Sequence, residues 1–151
     1  FILNKISLQY EPVNCTVITD EKWLVFALEQ ILSNALKYTP EGGSVHIFTA
    51  ETEDNWSVEV KDTGIGIPAS EQKKLFRMHF RGSNAINSKV TGSGIGLLLV
   101  WKLVRLHKGK INFSSTEGKG SCAIHCRMII PYKYAVTVSR HLTSLKNTCL
   151  I

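Results

Sequence analysis

The chain has 151 residues, enough for one compact domain with a single core, and 44% of them are hydrophobic, which excludes a disordered chain. The net charge is +6, but residues 132–151 hold three of the 18 basic residues and no acid, which leaves 15 basic and 12 acidic residues in the body. So small an excess argues against a dedicated nucleic-acid surface and suits an anionic small ligand equally well.

The first half of the chain contains four predicted strands and one long predicted helix. "KISLQYEP" and "NCTVITD" are predicted to be short strands, and Asp20 then offers an N-cap for a helix over residues 21–38. Apolar residues recur in that helix at four-residue steps, and Pro40 with the following "EGG" ends it. "SVHIFTA" and "NWSVEVKD" predict two further strands around a turn at 51–55.

The second half begins with Pro68, which fits the first turn of a short helix, "PASEQKKLF". Residues 77–93 follow neither the helical nor the strand period, which predicts a long loop that is functional or mobile. "GIGLLLVWKLVRLHKG" predicts a second long helix that opens on glycine and is closed by Lys108 and Gly109. "KINFSST" and "GSCAIHCRMIIP" predict the last two strands.

Strands and helices come in clumps, so we expect an α+β fold. Its architecture would be a mixed, mainly antiparallel sheet covered on one face by about three helices. The domain is expected to span residues 1–131, and residues 132–151, where the patterning fades, to be a tail or linker without predicted order. Because the chain opens with Phe1 and has no signal segment, we interpret it as a domain of a longer protein.

Asn34 is a polar residue on the apolar face of the first predicted helix. Lys37 and Tyr38 follow it at the spacings that share one helix edge. A buried amide needs partners at both ends, and a satisfied core asparagine would account for the residue. The alternative is that the Asn34 carbonyl oxygen ligates Mg²⁺ while Lys37 faces a phosphate.

Two stretches rich in glycine follow or open predicted elements. "VEVKDTGIGIP" ends a half-buried strand in Asp62 and two spaced glycines, for which a plain turn is one explanation. "TGSGIGLLLV" opens a helix with three alternate glycines, where free backbone amides suit a phosphate, although close packing also needs small residues. Neither the P-loop nor the Rossmann spacing is present.

The order of these motifs resembles the GHKL ATP-binding (Bergerat) fold, and in particular the catalytic and ATP-binding domain of sensor histidine kinases. "ILSNALKYTPEGGSV" is similar to the N box, "DTGIGIP" to the G1 box, "LFRMHFRG" to the F box and "TGSGIGLLLV" to the G2 box. "STEGKGSCAIHCRMIIP" resembles the closing hairpin, so the resemblance covers residues 5–131. Four motifs in family order are far more specific than any one glycine run.

The resemblance implies a role for each matching residue. Asp62 would accept a hydrogen bond from the adenine amino group, while Gly64 and Gly66 let the backbone approach the base. Asn34 would hold Mg²⁺, and Lys37 and Tyr38 would contact or flank the phosphates. The phosphate cradle would consist of Gly92, Ser93, Gly94, Ile95, Gly96 and Leu97.

Residues 77–93 would be the ATP lid, with Phe76 and Phe80 packing it down and Arg81 near the phosphates. Ser121, in the closing hairpin, completes the expected nucleotide contacts. The implied cofactors are ATP and Mg²⁺. The implied reaction is transfer of the γ-phosphate of ATP to a histidine, in which the domain supplies positioning and charge stabilisation.

Two positions depart from the family pattern. Hydrolytic members such as the gyrase type carry a glutamate four residues before the metal asparagine, where this chain has Gln30, which cannot act as a general base. Net ATP hydrolysis is therefore expected to be poor. In the F box, His79 stands where a phenylalanine is usual, which puts the packing of the closed lid in question.

None of the histidines, at 46, 79, 107, 125 and 141, heads a helix followed by an acid and a basic residue, as a phospho-accepting histidine would. We therefore expect the acceptor on a separate dimerisation domain upstream, and a response-regulator receiver domain as the next partner in the phosphorelay. No nucleic acid and no membrane contact are expected for this domain. A cytoplasmic location is expected, since the four cysteines lack disulfide spacing, and the attachment of the parent to the inner membrane is left open.

Three alternatives stay open beside the kinase interpretation. The first is an ATP-binding regulatory module that transfers no phosphate, and the second is an ATP-hydrolysing clamp, against which Gln30 argues. The third is a basic interaction domain that binds no nucleotide.

Overall fold

The chain folds into a five-stranded sheet with two long helices packed on one face. The computed structural model describes residues 5–10, 16–18, 20–52, 55–88, 90–118, 121–129 and 135–137. The elements, in chain order, are β1 (Ser7–Tyr10), β2 (Thr16–Ile18), α1 (Glu21–Tyr38), β3 (Ser44–Glu51), β4 (Asn55–Asp62), a 3₁₀ helix (Gln72–Lys74), α2 (Ser83–Asn87), α3 (Gly96–Leu106), β5 (Lys110–Thr116), β6 (Ser121–Ile129) and β7 (Ala135–Thr137).

The large sheet has the strand order β1-β3-β4-β6-β5. β1 runs parallel to β3, and the other three pairings are antiparallel. The prediction of a mixed, mainly antiparallel sheet in an α+β fold is thus confirmed. β7 lies within the range expected to be a tail, and it pairs antiparallel with β2, with Thr16 opposite Thr137.

The core lies between the sheet and the two long helices. Alternate residues of β3 and β4 are buried on the face that the helices cover, in the pattern of a half-buried sheet. The core residues from these elements are Leu24, Leu28, Ile31, Leu32, Ala35, Val45, Ile47, Trp56, Val58, Val60, Val100 and Val104. Asp62 continues the β4 alternation, so this carboxylate is placed on the helix-facing side at the strand end, where it is 7% exposed.

Helix α1 begins and ends where the sequence predicts. The Asp20 carboxylate accepts hydrogen bonds from the N–H groups of Lys22 (3.0 Å) and Trp23 (3.3 Å), which satisfies two of the free donors of the first turn. At the other end, the Thr39 backbone N–H and hydroxyl both donate to the Ala35 carbonyl, and Pro40 follows. This end of the helix carries Asn34, Lys37 and Tyr38.

Two predictions between β4 and α3 were wrong in part. The helix expected over 68–76 is only a 3₁₀ helix at Gln72–Lys74, within a run of turns that bond residue i to i+3. The segment 77–93, expected to be a loop throughout, contains the short helix α2. Helix α3 is closed by the two residues that the sequence predicts, because Lys108 adopts the left-handed conformation (φ +54°) and the Gly109 N–H donates to the Val104 carbonyl.

Within the part of the chain that the structure describes, no helix has the length and apolar character needed to cross a bilayer.

Candidate functional site

A cavity of about 160 Å³ lies between the C-terminal half of α1, the end of β4, the segment 80–94 and the start of α3. Twelve of the predicted site residues line it: Asn34, Lys37, Tyr38, Asp62, Gly66, Phe80, Arg81, Gly92, Ser93, Gly94, Gly96 and Leu97. Gly64 and Ile95 lie outside the lining, and the side chain of Ser121 lies outside the described part of the structure. The fold therefore brings together, in one cavity, residues more than 60 positions apart in the chain.

Asp62 and the loop after it form the inner wall of the cavity. One Asp62 carboxylate oxygen accepts the Gly64 N–H at 2.9 Å, and the Ile65 N–H donates to the Tyr38 carbonyl at 3.1 Å. These bonds hold residues 62–66 against the end of α1. The name adenine-side loop is used for residues 62–66 after the role that the resemblance implies for Asp62. A carboxylate fixed in this way can accept a hydrogen bond from a ligand amino group.

Glycine is needed twice in this loop because of close backbone approach. A Cβ at Gly64 would lie 2.6 Å from the Tyr38 carbonyl oxygen, so this residue shapes the loop although it does not line the cavity. Gly66 has φ +67°, and a Cβ there would collide with the carbonyl of Thr116. The loop is thereby packed between α1 and the end of β5.

Asn34, half-buried on α1, is available to a ligand. Among the described residues, no hydrogen bond engages its side chain, so the interpretation of a satisfied core amide finds no partner there. The described residues also contain no group of three or more His, Cys, Asp or Glu side chains that could hold a metal. A single amide oxygen fits Mg²⁺ that keeps waters and takes phosphate oxygens as its other ligands, because this ion rarely has an all-protein cage.

The glycine-rich segment, residues 91–100, packs against the F-box segment, residues 75–82. Gly94 has φ +70°, and a Cβ there would lie 2.7 Å from the Phe80 carbonyl oxygen. His79, which also has a positive φ (+57°), places its Nδ1 3.4 Å from the Ser93 carbonyl oxygen. The histidine that departs from the family pattern is thus accommodated beside the glycine-rich segment.

The start of helix α3 faces the cavity through Gly96 and Leu97. Among the described residues, the cap residue Ile95 provides no side-chain acceptor for the first backbone amides of this helix. The positive end of the helix dipole makes this a suitable position for an anion.

Phe76 and Phe80, which were expected to pack down residues 77–93, have different partners. The name lid segment is used for residues 77–93 after the role that the resemblance implies. Phe76 packs edge-to-face on Phe113 of β5, with ring centroids 5.7 Å apart, and so fixes the start of the lid segment to the sheet. Phe80 lines the cavity itself.

Arg81 lines the cavity but donates to backbone carbonyls of its own segment, those of Val90 and Ala85. Its Nε is buried and has no partner among the described residues. A contact between Arg81 and a phosphate stays a prediction.

Several lining residues were not among the predicted site residues. Gln30 lines the cavity and lies against α3, where a Cβ on Gly96 would be 2.5 Å from its Oε1; its place four residues before Asn34 was the available signal. Asn84 and Ala85 belong to α2, for which the sequence gives no periodic signal. The apolar wall was not predicted either, and it includes Ile31, Ala35, Val60 and Leu75.

Comparison with known proteins gives one family. The model of the histidine kinase-, DNA gyrase B- and HSP90-like ATPase family matches residues 19–132. The sensor histidine kinase WalK of Bacillus subtilis is 40% identical over 116 residues, which cover 76% of this chain and 18% of WalK. The sensor-like histidine kinase SenX3 of Mycobacterium tuberculosis is 38% identical over 110 residues, 73% of this chain and 27% of SenX3. The chain therefore spans about a quarter or less of the length of these relatives.

Solved structures show the same fold. The mycobacterial sensor histidine kinase MprB superposes with a TM-score of 0.75 at 28% identity, covering 85% of this chain and 86% of that one. The catalytic domain of histidine kinase ThkA superposes with a TM-score of 0.69 at 22% identity, covering 83% and 81%. The likeness to MprB covers nearly all of both chains.

Proposed function

The chain belongs to the histidine kinase-, DNA gyrase B- and HSP90-like ATPase family, and from that membership we propose that it is the ATP-binding catalytic domain of a two-component sensor histidine kinase. The observation that carries the proposal is the convergence of the four motifs on one cavity, with Asp62 at the inner wall, Asn34 on α1 and the glycine-rich segment at the start of α3. None of these groups is replaced by a residue of unsuitable chemistry.

Adenine would be recognised at Asp62. Its carboxylate, already oriented by the Gly64 N–H, would accept a hydrogen bond from the adenine 6-amino group. Guanine has a carbonyl oxygen at that position, which would face the carboxylate without a shared proton. The same contact therefore selects adenine over guanine.

The phosphates would lie between α1 and the start of α3. The exposed Lys37 and the backbone amides at Gly96 and Leu97 would stabilise their negative charge. Asn34 would hold Mg²⁺ through its amide oxygen, and the bound ion would supply positive charge to neutralise the charge that develops on the phosphates during transfer.

The substrate would be a histidine on a separate dimerisation domain of the parent protein. An imidazole nitrogen would attack the γ-phosphorus in line, forming a P–N bond as the bond to the ADP oxygen breaks and ADP leaves. Gln30, in contact with the start of α3, offers no base to activate water, so transfer is favoured over hydrolysis. A response-regulator receiver domain would take the phosphoryl group next, and a cytoplasmic location would supply the ATP.

The test is to incubate γ-labelled ATP and Mg²⁺ with this chain and the separately produced His-bearing domain of its parent. Label should enter the partner as an acid-labile phosphoramidate and should be absent from the chain alone. A partner whose acceptor histidine is replaced by glutamine is the control. Release of inorganic phosphate without labelling of the partner would contradict the proposal and favour the hydrolysing clamp.

A further inference from the structure

Helix α2 is hydrogen-bonded to the adenine-side loop through the side chain of Asn84. Its Nδ2 donates to the Gly66 carbonyl at 2.9 Å and lies 3.4 Å from the Ile65 carbonyl oxygen. Its Oδ1 accepts the Ala85 N–H at 2.9 Å. The half-buried Asn84 thus joins the lid to the loop that carries Asp62, and it lines the cavity as well.

Helix α2 depends on such contacts because it is too short to be stable alone. It has five residues, and its N-cap, Gly82, provides no side-chain hydrogen bond. Its first N–H, that of Ser83, is accepted by the Glu71 carboxylate at 2.9 Å. Glu71 therefore supports the start of α2, whereas Asn84 determines where the helix lies relative to the adenine-side loop.

We infer that Asn84 is a positioning residue of the nucleotide site, which slows nucleotide release by holding α2 on the adenine-side loop. Gly82, the N-cap of α2, and the buried Ala85 line the same cavity, so a displacement of α2 would displace both. Release of the Asn84 bonds would free this wall of the cavity without altering Asp62, Asn34 or the start of α3. The inference rests on the proposed function for the identity of the ligand.

Two substitutions separate this role from a general effect on helix stability. Asn84→Ala removes the donor. Asn84→Asp keeps the size and the Oδ1 acceptor but brings a carboxylate against two carbonyl oxygens, so it should loosen the lid more than alanine does. If Asn84 affected only the stability of α2 itself, Asn84→Asp would loosen the helix less than Asn84→Ala does, because an acid in the first turn of a helix is favourable.

The first readout is amide hydrogen exchange of the peptide containing 83–88 in the nucleotide-free chain. Exchange should be about two- to tenfold faster in Asn84→Ala, the range expected for one net hydrogen bond, and faster still in Asn84→Asp. Asn87→Ala, an exposed residue of the same helix, is the matched control and should leave the rate unchanged. An aspartate variant that exchanges no faster than the alanine variant would overturn the inference.

The second readout is the dissociation rate of ADP carrying a fluorescent ribose label, followed by stopped flow. The dissociation rate should increase from the wild type to Asn84→Ala and again to Asn84→Asp. Adenosine should compete with the labelled ADP less effectively in the same order of variants. Adenosine has no phosphates, so repulsion between phosphates and the new carboxylate cannot explain a weaker affinity of Asn84→Asp for adenosine. Faster exchange with unchanged ligand dissociation would overturn the positioning role. If the wild type binds no nucleotide, the proposed function fails and the role at a nucleotide site fails with it, while the exchange order still decides whether Asn84 fastens α2.

Discussion

Contacts with individual backbone atoms determine whether a side chain larger than glycine fits at a given position. Gly94 combines a left-handed backbone with a neighbour, the Phe80 carbonyl, that leaves no room for a side chain. Gly42 has a similar backbone, φ +82°, yet nothing lies within 4 Å of the position a Cβ would take. Substitutions at the two glycines can therefore be compared to separate backbone strain, which both positions have, from steric clash, which only Gly94 has.

Gly42→Ala should destabilise the chain by about 1–2 kcal/mol, the strain of one left-handed non-glycine residue. Gly94→Ala should destabilise it more, because its Cβ must displace the backbone of the F-box segment, and should lower ATP affinity at least about tenfold. Urea unfolding and calorimetric titration measure the two effects. Equal effects of the two substitutions on both quantities would show that the packing between these segments does not shape the site.

Most of the residues predicted for the site lie together along one cavity, because the motifs sit at strand and helix ends, which periodicity locates well. Gly64 was expected to let the backbone approach the adenine; in the structure it lies outside the cavity lining and packs against the Tyr38 carbonyl, a tertiary contact that no local pattern reveals. Arg81 was expected near phosphates and is engaged with carbonyls of its own segment. Long side chains have several reachable partners, so spacing alone does not fix which one they bind.

At the scale of elements, α1 was predictable because an N-cap, an apolar period and a terminal proline all agree. Helix α2 was not, since "SNAIN" carries no period and its supporting hydrogen bonds, from Ser83 to Glu71 and from Asn84 to Gly66, are tertiary contacts. The predicted helix over residues 68–76 is only a short 3₁₀ helix in the structure, and tertiary contacts explain this difference too. Gln72 donates to the carbonyls of Ile67 (3.0 Å) and Ser115 (2.9 Å), and these bonds tie the segment to β5 as a run of turns.

The N-cap of α1 should stabilise the fold without touching the site. Asp20→Ala removes the acceptor of the Lys22 and Trp23 N–H groups and should lower the free energy of unfolding by about 1 kcal/mol, with ATP affinity unchanged. Asp20→Ser retains a capping oxygen and should lose much less. Urea unfolding measures the change in the free energy of unfolding. A fully folded Asp20→Ala variant that bound ATP more weakly than the wild type would contradict this division of roles.

At the scale of the whole molecule, one sheet and two helices bring the four motifs to the same cavity. Helix α1, the end of β4, the start of α3 and residues of the segment 77–93 all line this cavity. The overall α+β architecture followed from the clumped order of elements. The pairing of β7 with β2 did not, because a three-residue strand in a segment with little patterning has no sequence signal.

Mg²⁺ binding should depend on the nucleotide, because Asn34 offers one protein ligand and the described residues hold no acidic cluster. Mg²⁺ alone should give no binding heat, whereas Mg²⁺ should change the affinity for ATP. Asn34→Ala should abolish the Mg²⁺ effect and leave adenosine binding nearly unchanged. Asn112→Ala, at an exposed position on β5, is the control. Tight binding of Mg²⁺ without nucleotide would contradict this account of the metal.

The central claim is tested most directly by calorimetric titration of ATP into the wild type and Asp62→Asn, with Glu59→Gln on the same strand as control. Asparagine can still accept the Gly64 N–H through its oxygen, so the loop should keep its shape, but the charged acceptor for the adenine amino group is lost. ATP affinity should fall about ten- to a hundredfold in Asp62→Asn, as expected for a hydrogen bond to a charged group, and remain unchanged in the control. Well-folded wild type that binds no ATP, or equal affinity in wild type and Asp62→Asn, would contradict the assignment of this cavity as an adenine-nucleotide site.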